Sequence, residues 1–329
     1  MNRAVVFNEF GGPEVLRIEE VETEQPGPGE TRLRIRAIGL NRTELTLRSG
    51  RSAVKPQLPS RIGFEAAGEI EALGPGVNGY SLGERVALVP TYGAAQYGLY
   101  GETSLAPARS LVKIPEGTSF ADAAATWVAF GTAWSGLISV GRLAAGQTVL
   151  ISAASSSVGL AAIQIAKRVG ARPIALTRYG GKASSLREQG AVEVIATAEQ
   201  NVEGEVKRLT EGAGADLVFD AVGGSGFCSL AKATKTGGLL VLYGSLDTQQ
   251  TVVPPFGIFA RDLTIRGFAL PVLAKDAANL TDLTKFIGSG LKDGALKPAI
   301  ARIFPFEAVA EAHRFMESGE QIGKVVITL

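Results

Sequence analysis

The sequence predicts an α/β chain of two domains: a β-rich domain and, inserted into it, a doubly wound parallel sheet of six strands. Three observations carry that expectation. From 148 to 270, apolar strand-like runs alternate with stretches of helical periodicity, the signature of repeated βαβ units. From 1 to 120 the runs are short and punctuated by Pro and Gly, as in Pro26-Gly27-Pro28-Gly29 and Gly74-Pro75-Gly76. After 290 the chain returns to that first texture and ends in a strand, so both chain ends are expected in the first domain. The expected division is 1–122 with 292–329 for the β-rich domain and 123–291 for the inserted one.

In chain order, the first strands are expected at Ala4–Phe7, Val15–Val21, Thr31–Ile38, Ala67–Leu73, Arg85–Val89 and Leu111–Ile114, with a short helix from Asn41 to Arg48. Ser119 is placed to cap an Ala-rich helix with Asp122 in its first turn, and a second helical segment runs through Trp134 and Leu137. Strands follow near 148–153, 173–178, 192–196, 216–221, 238–244 and 264–269, with helices at 157–169, 181–189, 201–211 and 225–235 between them. An amphipathic helix at 276–289, the return segment KPAIARIFPF, a helix at 306–318 and a last strand, Lys324–Leu329, complete the order.

At 329 residues, each domain is long enough for its own core. Hydrophobic residues at 46% and charged residues at 20% place the chain among ordinary globular proteins. The formal net charge of +1, with no basic block, argues against nucleic acid as a partner, which needs a concentrated positive footprint. Cys228 is the one cysteine, so an intramolecular disulfide and a multi-cysteine metal lobe are excluded. No apolar run of membrane-spanning length, signal peptide or transit peptide is read in the chain. The expectation is a cytoplasmic protein with no membrane partner.

The stretch Thr148–Lys182 is the most informative βαβ unit. An apolar strand meets the small-residue loop Ala153–Ser157, and Val158, Ala162, Ile165 and Val169 then repeat at helical spacing. The free N–H groups of a helix N-terminus favour an anion, so Ser156, Ser157, Val158 and Gly159 are candidate holders of a dinucleotide's phosphates. A strict G-x-G-x-x-G would place Gly at 154, 156 and 159, and the chain offers Ala154, Ser156 and Gly159. Taken alone, the loop also fits any parallel βαβ unit with small residues at its turn. The second strand ends at Thr177-Arg178, with Tyr179 and Lys182 close behind. Cations where NAD-binding units carry a carboxylate suit the 2′-phosphate of NADPH.

The motifs AIGLNRTELTLRSG (37–50), GFEAAGEIEALGPGV (63–77), AFGTAW (129–134), AASSSVG (153–159), FDAVGG (219–224), LYGS (242–245), LTIRGF (263–268) and EAHRFMESGEQIGKVVITL (311–329), in this order, resemble the medium-chain dehydrogenase/reductase superfamily. The match is nearest its zinc-independent quinone oxidoreductase branch and covers nearly the whole chain. The resemblance implies a GroES-like substrate domain, an inserted Rossmann domain that binds NADPH, and an active site in the cleft between them. It also implies that Thr132 sits beside the nicotinamide, that Tyr243, Gly244 and Ser245 line the cofactor after the fifth strand, and that LTIRGFAL (263–270) pairs across a homodimer.

Zinc-dependent members of that superfamily carry Cys, His or Glu where this chain has Asn41, Phe64 and Val128, and none of these is a zinc ligand. No metal site is therefore expected. Glu65, left beside Phe64, reads as a structural hydrogen bonder or a core ion-pair partner. Asn41 has two readings: a helix N-cap, or an amide that donates to a substrate carbonyl or to the cofactor carboxamide. Thr132 reads either as a cofactor contact or as a helix-interior Thr, and Asp220 as a group that orients loop amides or caps the next helix.

Two tyrosines common around the R-S-G motif in quinone reductases are replaced by Thr46 and Ser52. Three others cluster in one loop as Tyr92, Tyr97 and Tyr100, and Tyr97 is the expected proton donor, with ordinary packing as its other reading. His313, the one histidine, is expected in a surface or half-buried structural role.

Without a metal, conjugated acceptors are favoured, because an α,β-unsaturated carbonyl spreads the incoming charge into an enolate. The expected activity is NADPH-dependent hydride transfer to a quinone or enone. The alternatives are an aldehyde or ketone reductase and a non-catalytic NADPH-binding protein.

Overall fold

The structure, a computed structural model, describes residues 2–329. It divides into two compact units, one made of Met1–Val128, Ala274–Ala277 and Pro298–Leu329, the other of Ala129–Leu273 and Ala278–Lys297.

The first unit carries β1 (Asn2–Phe7), β2 (Arg17–Val21), β3 (Glu30–Gly39), β4 (Ser60–Arg61), β5 (Ala66–Leu73), β6 (Arg85–Leu88), β7 (Thr103–Pro107) and β8 (Leu111–Lys113). The second carries β9 (Thr148–Ile151), β10 (Arg172–Thr177), β11 (Glu193–Ala196), β12 (Ala215–Asp220), β13 (Thr234–Leu242) and β14 (Thr264–Gly267). The chain then returns to the first unit with β15 (Ile300–Pro305) and β16 (Lys324–Thr328). It follows that the second unit is inserted in the first, as the texture of the C-terminal segment predicts.

In the first unit one sheet runs β15-β16-β3-β5-β6-β8, with β7 also paired to β3, and a smaller sheet runs β2-β1-β4. β3 is its spine: Leu33, Ile35, Ala37 and Ile38 are buried, so side chains on both faces are packed toward its C-terminal end. β16 lies antiparallel to β3, and its register pairs Val326 with Gly39. That register brings the start of β16 beside the end of β3, where Asn41 opens the helix Arg42–Arg48.

The second unit is a parallel sheet in the order β11-β10-β9-β12-β13-β14. Its central strands read as continuous apolar runs because both faces are covered: β9 is buried throughout and β10 buried after its first residue. The order reverses between β9 and β12, which creates the crevice at the carboxyl ends of strands where ligands bind in such sheets.

Several expectations need correction. Val15–Val21 is not one strand: Pro13 starts a 3-10 turn through Val15, and extended pairing begins only at Arg17. The short strands β4 and β7 were not foreseen, since neither has a long apolar run. β13 starts at Thr234, five residues before its apolar part. Phe120–Val140 is a 21-residue helical stretch apolar enough to cross a membrane by length and composition, contrary to the sequence reading. Its apolar window is 89% buried inside the fold, as for a core helix. Its last part, Ser135–Val140, widens into a π turn.

Candidate functional site

In the second unit, β9 passes through Ser152 into the loop 153–156 and then into the helix Ser157–Arg168. Ser156 is the N-cap, its Oγ accepting the Gly159 N–H at 3.1 Å. Ala153 takes a left-handed backbone, with φ of 46°. Such a conformation is strained for a residue with a Cβ, and strain of this kind collects at ligand sites. Gly159 is the surviving fingerprint glycine for a plain reason. A Cβ there would lie 2.6 Å from Ala154 Cα and Ala154 O, so the helix could not pack this close to the loop.

β10 ends at Thr177, and Arg178, Tyr179 and Lys182 follow on one short turn. Lys182 Nζ lies 3.4 Å from Ser155 Oγ, so the cations behind β10 and the loop after β9 border the same space. Glu199 also reaches this turn, its carboxylate accepting the Gly180 N–H at 3.3 Å. Tyr243, Gly244 and Ser245 follow β13. Tyr243 stacks on Phe219 with ring centroids 4.1 Å apart, and burial, with the Asp220 carboxylate adding to it, holds its phenol above the usual range. A Cβ on Gly244 would meet Ala221 O at 2.6 Å, so this turn too depends on close backbone approach.

Buried Asp220 ties these segments together. Its carboxylate accepts the Ser152 hydroxyl at 2.5 Å and the N–H groups of Val222 and Gly223 at 2.9 and 3.0 Å, while Ser152 Oγ accepts Ala221 N–H at 2.8 Å. Asp220 thus orients loop amides, one of the readings offered by the sequence. Thr132, in the same unit, is buried in the helix Trp127–Trp134, whose first two residues belong to the first unit. Loop, turn and cap together set amide donors at a helix N-terminus, small residues and the Lys182 ammonium around one space, a chemistry able to hold a phosphate.

In the first unit, Asn41 sits in a buried polar cluster. It is the N-cap of its helix by position, and its backbone N–H donates to Glu44 at 2.6 Å. Its Nδ2 donates to Gly39 O at 2.9 Å and, more weakly, to Glu65 at 3.4 Å, while its Oδ1 accepts from Lys324 Nζ at 2.6 Å. Lys324 also pairs with Glu65 Oε2 at 2.5 Å, and Glu65 Oε1 accepts the Val128 N–H at 2.7 Å. Glu65 is therefore a core ion-pair partner. Glu44 accepts further bonds from Phe64 N–H and Tyr100 OH, and burial pushes its carboxyl up to about 7.

Two expectations fail here. Tyr97 does not present a free phenol: its hydroxyl donates to Glu30 at 2.8 Å, and burial with that carboxylate pushes it up to about 12. As placed, it is a poorer acid than an ordinary tyrosine and is held at the start of β3. Tyr92 and Tyr100 are fully buried, their hydroxyls given to Phe64 O and Glu44, so all three tyrosines have the packing role. His313 is not at the surface: it is 0% exposed, stands edge-on to Tyr100, and burial, with the Arg48 guanidinium nearby, pushes its imidazole down to about 3.

Asn41, Phe64 and Val128, the zinc-ligand positions of metal-dependent relatives, offer one amide and no imidazole or thiolate. Among the described residues, no group of three or more His, Cys, Asp or Glu stands together. Sequence reasoning missed Lys324 and Glu44. Each left a signal: Lys324 opens an otherwise apolar strand, and Glu44 stands three residues after an N-cap Asn, the capping-box spacing.

Residues 27–116 match the alcohol dehydrogenase GroES-like domain, and residues 157–285 match the zinc-binding dehydrogenase domain. The chain is 32% identical to a quinone oxidoreductase of Pseudomonas aeruginosa over 99% of both chains. It is 31% identical to a 2-haloacrylate reductase of a Burkholderia species, again over 99% of both. Among solved structures, an NAD-dependent alcohol dehydrogenase shares 34% identity at a TM-score of 0.91, with 99% of both chains covered. The Escherichia coli quinone oxidoreductase complexed with NADPH shares 28% at 0.91, covering 99% of this chain and 100% of that one. The zinc in the matched domain's description finds no ligand set at Asn41, Phe64 and Val128, whereas the fold, the loop after β9 and the whole-length matches agree. This chain belongs to the medium-chain dehydrogenase/reductase superfamily of oxidoreductases, in its quinone oxidoreductase-like branch.

Proposed function

We propose that the protein is an NADPH-dependent, zinc-independent reductase that delivers hydride to a quinone or to the β-carbon of an α,β-unsaturated carbonyl. One observation carries the cofactor choice. The end of β10 presents Arg178 and Lys182, and Lys182 borders the loop after β9 through Ser155. Two cations beside a phosphate cradle match a ligand with one phosphate more than NADH. The NADPH named in the E. coli relative's structure supports the same choice.

The bound nicotinamide cofactor supplies the hydride. Ser156, Ser157, Val158 and Gly159 would hold its pyrophosphate at the helix N-terminus. Arg178, Tyr179 and Lys182 would hold the 2′-phosphate, while Thr132, Tyr243, Gly244 and Ser245 would line the nicotinamide side. Hydride addition to an enone moves an electron pair onto the carbonyl oxygen, and water supplies the proton that completes the product. Asn41 orients the acceptor through its amide, with the weak 3.4 Å bond to Glu65 as the donor that can be redirected. With no nitrogen or thiolate ligand set, a conjugated acceptor is the better match than a simple ketone. The 2-haloacrylate reductase among the relatives supports a conjugated substrate, and the NAD-dependent alcohol dehydrogenase keeps aldehyde reduction as the second reading.

A homodimer through the edge of β14 also fits. Phe256 and Phe259 stand 77% and 65% exposed on the short helix before that strand.

The test is cofactor preference. The wild type is expected to favour NADPH over NADH, and Arg178→Ala with Lys182→Ala should lower that ratio by about ten- to a hundredfold, the worth of one or two charge-assisted hydrogen bonds. Equal use of both cofactors by the wild type removes this reading of the strand end.

A further inference from the structure

We propose that Lys324 is a positioning residue whose buried ammonium orients and polarises the Asn41 carboxamide, so that a cation acts on the acceptor through an amide. The proposal rests on the reading of Asn41 as the group that faces the acceptor.

Lys324 is 1% exposed, and it comes from the opposite end of the chain to meet Asn41 at 2.6 Å and Glu65 at 2.5 Å. Its contact to Asn41 fixes which way the amide points. An ammonium has only donors, so it selects Oδ1, and the flipped amide would set donor against donor. Nδ2 is thereby turned to Gly39 O and, weakly, to Glu65. An ammonium on Oδ1 also draws electron density from the amide and makes its N–H a stronger donor, since hydrogen bonds in a chain reinforce one another.

Stability gives no comparable reason for the arrangement. A buried ion pair is often no better than apolar residues of the same volume. The backbone is also tight here: a Cβ on Gly39 would meet Ala124 O first, and then Lys324 Cε at 2.8 Å and Glu65 Oε2 at 2.9 Å, so a glycine required by the Ala124 carbonyl also leaves space for the pair. The cluster joins the ends of β3 and β16 to the residue before β5, and through Val128 N–H it reaches the start of the helix Trp127–Trp134. The three chain positions that hold zinc in metal-dependent relatives thus lie in or beside a cluster centred on a fixed cation.

The experiment compares wild type, Lys324→Met, the double variant Lys324→Met/Glu65→Gln, and Asn41→Ala. It reads thermal midpoint, NADPH dissociation constant, and kcat and KM for a conjugated acceptor. The NMR shift of the Asn41 side-chain amide is read in the cofactor-free protein. Lys324→Met alone leaves Glu65 buried and unpaired and should lower the midpoint. The double variant should recover most of that loss. Its kcat should nonetheless stay at least about tenfold down, toward the hundredfold or more that one oxyanion donor is worth. NADPH affinity should hold within about twofold, the ground-state binding being unaffected, and the Asn41 amide resonance should move in both Lys324 variants. Recovery of kcat together with the midpoint, or an unmoved Asn41 resonance, overturns the proposal. Asn41→Ala separates two failures. Full kcat in Asn41→Ala removes the acceptor-facing reading and this role with it. Low kcat there beside wild-type kcat in the double variant removes the Lys324 role alone.

Discussion

His313→Phe should change how stability depends on pH more than it changes the fold. The ring contact with Tyr100 survives in phenylalanine, while the titrating group is lost. In the folded protein the imidazole is pushed down to about 3 from an ordinary 6.5, first by burial and then by Arg48. Between those values the unfolded chain binds a proton that the folded chain refuses. Stability therefore falls as pH drops below about 6.5 and stops falling near 3. From pH 7.5 to pH 5, protonation of the unfolded imidazole is worth about 2 kcal/mol at 1.36 kcal/mol per pH unit. Glu44 works in the other direction. Its carboxyl, pushed up to about 7 from 4.5 by burial, stays protonated in the fold while the unfolded chain ionises, so its contribution is lost as pH rises toward 7. The two slopes oppose each other between pH 5 and 7, and the wild-type profile should be shallow there. Urea unfolding at pH 7.5 and 5 should show His313→Phe gaining about 2 kcal/mol relative to wild type at the lower pH. Parallel pH profiles for the two proteins would refute the placement of a neutral, buried imidazole.

Glu44→Gln should remove the opposite slope. With the His313 slope left unopposed, its stability should rise by about 2 kcal/mol from pH 5 to pH 8, where the wild type changes little, read by the same urea titration. Ala153→Gly relieves a left-handed backbone at φ 46° and should raise stability by about 1 kcal/mol in a thermal or urea melt, and a loss would show that the side chain is needed there. For the proposed homodimer, the wild type should sediment as a dimer and Phe256→Asp with Phe259→Asp as a monomer; a monomeric wild type or a dimeric double variant would contradict the β14 interface.

The inserted sheet was legible because strands buried on both faces leave long apolar runs, and helices between them leave a 3.6-residue period. β9 to β14 fall close to their expected places for that reason. β4 and β7 were not legible, since two- and five-residue strands are set by partners far along the chain. The loop after β9 was read correctly as a tight turn, but not the left-handed Ala153, because glycine is the usual mark of that backbone and it is absent here. Tyr97 and His313 misled for a common reason: residue type suggested a proton donor at Tyr97 and a surface or half-buried place for His313, and tertiary neighbours decided both. Glu30 accepts the hydrogen bond of the Tyr97 hydroxyl, and packing against Tyr100 buries His313. Lys324 and Asn41 are joined across nearly the whole chain by the β3–β16 register, which no local pattern shows.

The most direct measurement is NADPH oxidation by the chelator-treated protein, followed by nicotinamide absorbance over a panel of quinones, enones, aldehydes and ketones. The account predicts turnover with quinones or enones, little with simple aldehydes or ketones, and no loss on chelation. Turnover confined to aldehydes or ketones, activity abolished by the chelator, or NADPH bound with no acceptor reduced would contradict it.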